Sequence, residues 1–210
     1  NACLPENIGG VAHYPLTPAE MEKWMNHFVA DLGVSVIGGC CGTTQEHIKH
    51  LSSLAERITS KERQVSWTPA AASIYSASPL AQEPAPVIVG ERCNTNGSKK
   101  FRDLILAEDY ESAVGMAREQ VKEGAHMLDL CVAYVGRDEV RDMREVMKFF
   151  NTQVTLPVVI DSTEYPVIEE ALKLYAGRAI VNSINMEDGE ERMAHVLPLC
   201  KRYGAAVIAL

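Results

Sequence analysis

The sequence predicts an α/β protein whose later part is built on a parallel sheet. Short apolar runs alternate there with longer stretches of helical spacing. The apolar runs lie at 87–89, 126–130, 157–160, 179–181 and 205–210. The helical stretches lie between them, at 110–123, 139–150, 166–175 and 190–203. Gly124, Gly177 and Gly204 follow three of these stretches, where a helix C-terminal cap belongs. Strands that alternate with helices in this way form a parallel sheet.

Polar residues at the ends of the predicted strands favour a barrel. The alternation alone fits both an open doubly wound sheet and a closed barrel. Nearly every apolar run leads into polar residues, which are Glu91 and Asn94, then Asp129, then Asp161 and Ser162, then Asn182 and Ser183. In a (β/α)8 barrel such positions meet at the C-terminal face, where the active site lies. Asp161 and Ser162 could instead only cap the next helix, but polar residues stand at the ends of four strands, which favours the barrel.

The first part of the chain reads as helix, strand, cysteine loop and helix. Thr17, Pro18 and Glu20 form a helix start with a capping box, and Gly33 ends the apolar helical pattern. The apolar run at 34–37 predicts a strand. A second capping box, Thr43 with Glu46, predicts a helix that continues to about residue 58.

Two adjacent cysteines follow that predicted strand, in the run Gly38-Gly39-Cys40-Cys41-Gly42-Thr43-Thr44. Neighbouring side chains of a regular strand point to opposite faces, so Cys40 and Cys41 can reach one metal only where the backbone is irregular. Gly39 and Gly42 permit such a backbone. A thiolate pair at a strand end suggests zinc. The alternative is a tight turn with two small residues, because the usual two-residue gap between zinc cysteines is missing.

Residues 59–86 differ in composition from the segments on either side. Ser, Ala, Pro and Gln dominate this stretch, and no apolar period is present. It therefore predicts a linker between two folded parts, over 1–58 and 87–210.

The composition excludes several classes of partner. The formal net charge of -8 argues against binding to a nucleic-acid backbone. The chain has no run of about 18 apolar residues, so we expect no membrane span. No charged and apolar signal segment follows Asn1, and the cysteines are scattered. Reduced thiols in a cytoplasmic protein are therefore expected.

Several segments carry a resemblance to a known family. The run Gly90-Glu91-Arg92-Cys93-Asn94-Thr95-Asn96-Gly97-Ser98 is similar to the signature that opens the pterin-binding barrel of the cobalamin-dependent methionine synthases. Residues 159–162 and 181–184 resemble two later strand ends of the same barrel. Residues 36–48 resemble the last strand of the homocysteine-binding barrel, and residues 1–5 the loop before its last helix–strand pair.

The resemblance implies parts of two (β/α)8 TIM barrels, both incomplete in this chain. Residues 1–58 would be the C-terminal part of the homocysteine-binding zinc barrel. Residues 59–86 would be the linker, and 87–210 the N-terminal part of the methyltetrahydrofolate-binding barrel. A full barrel takes about 250 residues, so the chain is expected to be an internal fragment, inactive alone. The cobalamin-binding domain would lie beyond Leu210.

The resemblance also implies the reaction and its site residues. A methyl group passes from 5-methyltetrahydrofolate through cobalamin to zinc-activated homocysteine, which gives methionine and tetrahydrofolate. Cys40 and Cys41 match two of three zinc cysteines, and the third would lie upstream of Asn1. Asp161 and Asn182 are the best matches for residues that bind the pterin, with Asn94 and Asp129 as further contacts. Cys3 stands where the family usually has a small residue. No side chain is an obvious acid for N5 of the folate, so no catalytic residue is assigned.

Two other functions remain open from the sequence. One is another pterin-binding enzyme, either a corrinoid methyltransferase or a dihydropteroate synthase. Those enzymes have no zinc–cysteine segment before the barrel, so residues 34–48 argue against them. The other is a non-catalytic isolated fragment that holds neither ligand.

Overall fold

A computed structural model describes residues 2–187 and 189–210. Asn1, the first residue of the segment that resembles a homocysteine-barrel loop, lies outside the described residues. The chain divides into two compact units, one up to Trp67 and one from Thr68. None of the described helices is long and apolar enough to cross a membrane.

The first unit contains a short hairpin and two helices. Strands β1 (Glu6–Ile8) and β2 (Val11–His13) pair antiparallel and are followed by α1 (Pro18–Ala30) and α2 (Gln45–Ala55). Helix α1 starts as predicted. The Glu20 backbone N–H donates to Thr17 Oγ1 at 3.3 Å, and the Thr17 N–H donates to the Glu20 carboxylate at 3.0 Å.

The strand predicted at 34–37 is not formed. Residues 33–40 belong to no helix or strand, and no described segment pairs with them in a ladder. A strand exists through its hydrogen bonds to a neighbouring strand, which an apolar run cannot supply by itself.

The start predicted for α2 is also corrected. Thr44, not Thr43, is the N-cap, and its N–H donates to Nδ1 of His47 at 3.1 Å. Thr43 Oγ1 instead donates to the carbonyl oxygen of Cys40. The buried His47 ring takes the place that the prediction gave to Glu46, and the helix ends at Ala55.

The segment predicted as an irregular linker contains a hairpin. Strands β3 (Ala70–Ala72) and β4 (Ala77–Pro79) pair antiparallel. Ser78 Oγ donates to the carbonyl oxygen of His126 at 2.7 Å, and the Ala72 and Arg178 backbones exchange hydrogen bonds of 2.9 and 2.8 Å. His126 and Arg178 lie just before strands of the sheet, so the hairpin is attached at the N-terminal ends of the strands.

The second unit confirms the predicted parallel sheet. Five strands pair in chain order: β5 (Val89–Asn94), β6 (Met127–Cys131), β7 (Val158–Asp161), β8 (Ile180–Ile184) and β9 (Ala206–Ala209). The helices of this unit are α3 (Lys99–Leu106), α4 (Tyr110–Lys122), α5 (Glu139–Gln153), α6 (Tyr165–Leu174) and α7 (Glu191–Tyr203). Helix α3 is an addition to the predicted elements.

The glycines that follow the predicted helices have different roles. Gly204 caps α7 in the left-handed conformation, with φ of 70°, and Gly124 after α4 has φ of 90°. Gly177 is not a helix cap, because α6 ends at Leu174 and its C-cap is Tyr175. A Cβ at Gly177 would lie 2.0 Å from the carbonyl oxygen of Ala72. Gly177 is therefore needed for the close approach of the hairpin.

The two faces of the sheet pack differently. One face packs on the helices and contributes Leu128, Leu130, Ile160 and Val181 to the main core. The opposite face forms a smaller cluster, with Met127, Val159 and Ile180 together with Ala71 of the hairpin. Because side chains alternate along a strand, the residues two positions further on share this second face.

Candidate functional site

The predicted polar residues meet on one face of the sheet. Asp129, Asp161 and Asn182 each follow by two positions an apolar residue of the smaller cluster. The register pairs Asp161 with Asn182 on adjacent strands. With Asn94 at the end of β5, they line one cleft of about 480 Å³. The structure therefore brings together all four residues that the sequence predicts for this site.

The Asn94 side chain joins the two carboxylates. Its Nδ2 donates to Asp129 Oδ2 at 2.8 Å and to Asp161 Oδ2 at 3.0 Å. Its Oδ1 accepts from the backbone N–H groups of Asn96 and Gly97, at 2.9 and 3.2 Å. The following turn thus fixes which end of the amide faces the carboxylates.

Burial controls the charge of these carboxyl groups. Asp129 is only 5% exposed, and burial raises its pKa to about 6. The negative charges of Asp161 and Glu91 act in the same direction, while hydrogen bonds with Asn94 and Asn182 oppose it. Burial also raises the pKa of Asp161, against the Asn94 bond. Asp129 can therefore change its protonation state close to neutral pH.

Glu91 is a further residue of the cleft, which the sequence places among the polar strand-end residues but does not assign to the pterin. Its sequence neighbour Arg92 pairs with Glu123 of α4, with Nη1 and Oε1 3.2 Å apart. Glu91 lines the cleft. The spacing along the chain indicates this position, because Glu91 lies two residues after Val89 on the same strand and therefore shares its face.

A second cleft of about 640 Å³ adjoins the first. It shares Asp161 and Asn182 and extends between the N-terminal ends of α6 and α7. The Arg192 guanidinium donates to the carbonyl oxygens of Ser162, Thr163 and Ser183, so it holds together the loops that follow β7 and β8. Ser162 Oγ accepts from the Glu164 N–H at 3.1 Å, which is a turn contact, since Glu164 is the N-cap of α6 and no side chain caps that helix.

The arrangement suits a planar heterocycle with neighbouring N–H donors. Two carboxylates offer acceptors, and the Asn182 amide can both donate and accept. The apolar Val89, Val159 and Ile208 also line the cleft and provide a surface for a ring.

The cysteine loop lies in the first unit. Cys40 and Cys41 are exposed, with their Sγ atoms 3.7 Å apart. Hydrogen bonds from the backbone and thiol of Cys41 lower the pKa of Cys40. Gly42, with φ of +76°, lies against the Tyr14 ring, where a Cβ would collide at 2.2 Å. The backbone is thus irregular at the cysteines, as the sequence predicts.

The thiol pair has the spacing that zinc requires. Two sulfur ligands about 2.3 Å from a tetrahedral zinc lie about 3.8 Å apart. The cysteines therefore fit two corners of such a site. Over residues 2–187 and 189–210, no group of three or more His, Cys, Asp or Glu side chains is arranged to hold a metal ion.

Comparisons with known proteins match the two units separately. A family model described as homocysteine S-methyltransferase matches residues 1–55, and one described as pterin binding enzyme matches residues 90–210. The methionine synthase of Mycobacterium tuberculosis is 45% identical over 213 residues, and that of Mycobacterium leprae is 43% identical over 218 residues. Each alignment covers 100% of this chain and 18% of the relative, so the chain spans less than a fifth of their length. The pterin-binding match covers more than half of the chain and includes all four polar residues that the sequence predicts for the cleft, so this chain belongs to the pterin-binding enzyme family.

Proposed function

We propose that this chain is part of a cobalamin-dependent methionine synthase. The whole protein would transfer a methyl group from 5-methyltetrahydrofolate to homocysteine, in the cytoplasm. Cobalamin, held by a domain of the same polypeptide outside this chain, would carry the methyl group between the substrates. The observation that carries this proposal is the convergence of Asn94, Asp129, Asp161 and Asn182 in one cleft. The methionine synthase relatives and the homocysteine S-methyltransferase match support this reading over other pterin-binding enzymes.

We propose that the segments of the chain have the roles that the resemblance implies. Residues 1–58 would contribute to a homocysteine barrel and 87–210 to a methyltetrahydrofolate barrel, with 59–86 as the connection. Within that connection, the Ala70–Pro79 hairpin is fastened to the second unit through Ser78 and Ala72.

In the cleft, the four polar residues would bind and orient the pterin. When they are ionised, the Asp129 and Asp161 carboxylates would accept hydrogen bonds from the amino-pyrimidine donors of the pterin. The Asn182 amide would pair with another donor or acceptor on the edge of the same ring. Asn94 already donates to both carboxylates, so it holds their oxygens in place before the ligand arrives. This preorganisation reduces the ordering cost of binding.

Cys40 and Cys41 would hold zinc in the full-length protein, together with a third cysteine outside this chain. Zinc would lower the pKa of the homocysteine thiol and so supply a thiolate nucleophile at neutral pH. The 3.7 Å separation of the two sulfur atoms supports the assignment.

Calorimetric titration of the full-length protein with 5-methyltetrahydrofolate tests the pterin site. We expect Asp161→Ala and Asn182→Ala each to weaken binding by about 1–3 kcal/mol, because each leaves a polar ligand atom unpaired. Lys148→Ala, at an exposed position of α5, is the matched control and should bind as the unsubstituted full-length protein does. Equal affinity in all four proteins would reject the assignment of this cleft.

Metal analysis of the full-length protein tests the zinc site. Cys41→Ala should lower the zinc content, whereas Cys3→Ala, at another exposed cysteine, should not. Zinc content that is unchanged by Cys41→Ala would remove Cys41 from the site.

A further inference from the structure

Strand β5 is irregular opposite Asp129. Gly90 pairs with Leu128 and Cys93 pairs with Leu130, so Glu91 and Arg92 together face Asp129 on β6. Two residues opposite one define a β-bulge, which shifts the facing of the residues that follow.

The bulge decides which side chain enters the cleft. Val89, Glu91 and Asn94 line the cleft, so the step between the last two is three residues instead of two. Cys93 is fully buried beside Gln120 of α4. In a regular strand, Cys93 would follow Glu91 on the cleft face and Asn94 would face the helices. The bulge therefore places the Asn94 side chain on the same face as the two carboxylates.

The Gln120 side chain replaces the hydrogen bond that the ladder loses at the bulge. Gln120 is only 3% exposed, and its Oε1 accepts from the Arg92 backbone N–H at 2.9 Å. Its Nε2 donates to Cys93 Sγ at 3.2 Å and to the Met116 carbonyl oxygen at 3.5 Å. The bond is partly buried, and a backbone N–H that is shielded from water and has no acceptor is costly, so this contact stabilises the bulged conformation.

Gly90 leaves the room that the Gln120 amide needs. A Cβ at this position would lie 2.5 Å from Gln120 Oε1 and 3.2 Å from Leu128 Cδ2. The backbone of Gly90 does not have a positive φ. Glycine is therefore required by the lack of room for a side chain and not by the backbone conformation.

We propose that Gln120 is a positioning residue for the cleft: by holding the Arg92 N–H it maintains the β5 bulge, and the bulge places the Asn94 amide between Asp129 and Asp161. Gln120 is not among the residues that line the cleft, so it acts through Asn94. The expected effect on pterin affinity rests on the proposed function, whereas the effect on Asn94 does not.

Two substitutions at Gln120 separate the acceptor from the packing. Gln120→Glu keeps an oxygen for the Arg92 N–H, and Gln120→Met has a similar shape without an acceptor. We expect hydrogen exchange at the Arg92 amide to be at least about tenfold faster in Gln120→Met than in the unsubstituted chain, and largely restored in Gln120→Glu. The affinity for 5-methyltetrahydrofolate should fall about tenfold in Gln120→Met and should be largely restored in Gln120→Glu.

The titration of Asp129 provides a readout that a general loss of stability does not change. The bond from Asn94 lowers the Asp129 pKa, so its loss in Gln120→Met should raise that pKa in carboxyl NMR spectra. Val146→Ala is the control, because Val146 is fully buried in α5 and forms none of these hydrogen bonds. It should reduce stability but leave the Asp129 pKa as it is.

Gly90→Ala is the second variant, for the case that Gln120→Met does not fold. Its methyl group displaces the Gln120 amide without altering it, and it should reproduce the faster Arg92 exchange and the higher Asp129 pKa. Unchanged Arg92 exchange and Asp129 pKa in the folded variants would overturn the proposal. If the full-length protein binds no 5-methyltetrahydrofolate while both NMR responses occur, the proposed function fails and the positioning role stands.

Discussion

Asn94 donates a hydrogen bond to Asp129 across 2.8 Å, from one edge of the sheet to the neighbouring strand. This bond favours the ionised carboxylate, while burial favours the neutral acid, and burial is the larger effect. A carboxyl group in such a balance makes both folding and ligand binding depend on pH.

We expect Asp129→Asn to reduce the pH dependence of stability. The folded-state pKa of Asp129 is about 6, above its ordinary value of 3.8, so the folded state binds this proton more tightly. The free energy of unfolding therefore falls as the pH rises between these two values, by at most about 3 kcal/mol. Urea unfolding at about pH 4 and pH 7 measures the fall, which should be smaller in the variant.

Asp103→Asn is the control for that experiment, because Asp103 is an exposed carboxylate of α3. It should show the same fall as the unsubstituted chain. A fall of equal size in Asp129→Asn would mean that Asp129 is not the group responsible.

Binding of 5-methyltetrahydrofolate should weaken on acidification through about pH 6. Protonation removes an acceptor from the Asp129 carboxyl group that the pterin donors use when it is ionised. Titrations of the full-length protein from about pH 7.5 to pH 5 should show this loss without substitution and a smaller one in Asp129→Asn. The comparison between the two proteins removes any contribution from protonation of the ligand itself. Parallel pH profiles would contradict the role of Asp129.

Gly177→Ala should destabilise the second unit by about 2 kcal/mol or more, because its Cβ would overlap the Ala72 backbone and force the hairpin away. Gly115→Ala is the matched control. Gly115 lies inside α4 with nothing within 4 Å of an added Cβ, so the substitution should stabilise by about 0.5–1 kcal/mol. Thermal unfolding of both variants measures the contrast, and a neutral Gly177→Ala would mean that the hairpin contact contributes little.

Arg137→Met should cost about 3 kcal/mol. Arg137 binds both oxygens of Asp142, with Nε to Oδ2 at 2.9 Å and Nη2 to Oδ1 at 2.6 Å. The Asp142 side chain is only 1% exposed, so the substitution leaves a buried charge with one remaining donor, the Tyr110 hydroxyl.

Lys99→Met provides the comparison for Arg137→Met, because the Lys99–Asp103 pair is exposed. Its loss should reduce the free energy of unfolding by less than about 0.5 kcal/mol. The double variant Arg137→Met/Asp142→Leu should recover most of the lost stability, since it no longer contains the unpaired charge. Denaturant unfolding of the three proteins is the measurement. A double variant no more stable than Arg137→Met would show that packing, rather than charge, is what Arg137 contributes.

Much of the cleft could be predicted because it follows from local patterns. Asp129 and Asp161 each stand at the end of an apolar run, and the alternation of a strand puts them on the face of Met127 and Val159. Parallel strands then bring their C-terminal ends to the same edge without further information. The capping box at Thr17 was equally local and is confirmed.

The features that the sequence did not predict depend on distant partners. The run at 34–37 has strand composition, but no described segment pairs with it. The Ala70–Pro79 hairpin has no apolar period and is held by contacts to His126 and Arg178. The side of the sheet on which Asn94 lies depends on a bulge that Gln120 supports from another element. Such relationships cannot be read from spacing along the chain.

The order of the strands has a consequence for biosynthesis. Every strand from β6 to β9 pairs with the strand made just before it, so each ladder can form as soon as its second strand leaves the ribosome. The hairpin is the exception. The Arg178 side chain donates to the Ala70 carbonyl oxygen across 108 residues of chain, so this attachment waits until synthesis reaches β8. The contact of Ser78 with His126 can form once β6 is made, so the earliest segment of the second unit gains its first attachment early and its last only after most of the sheet has been made.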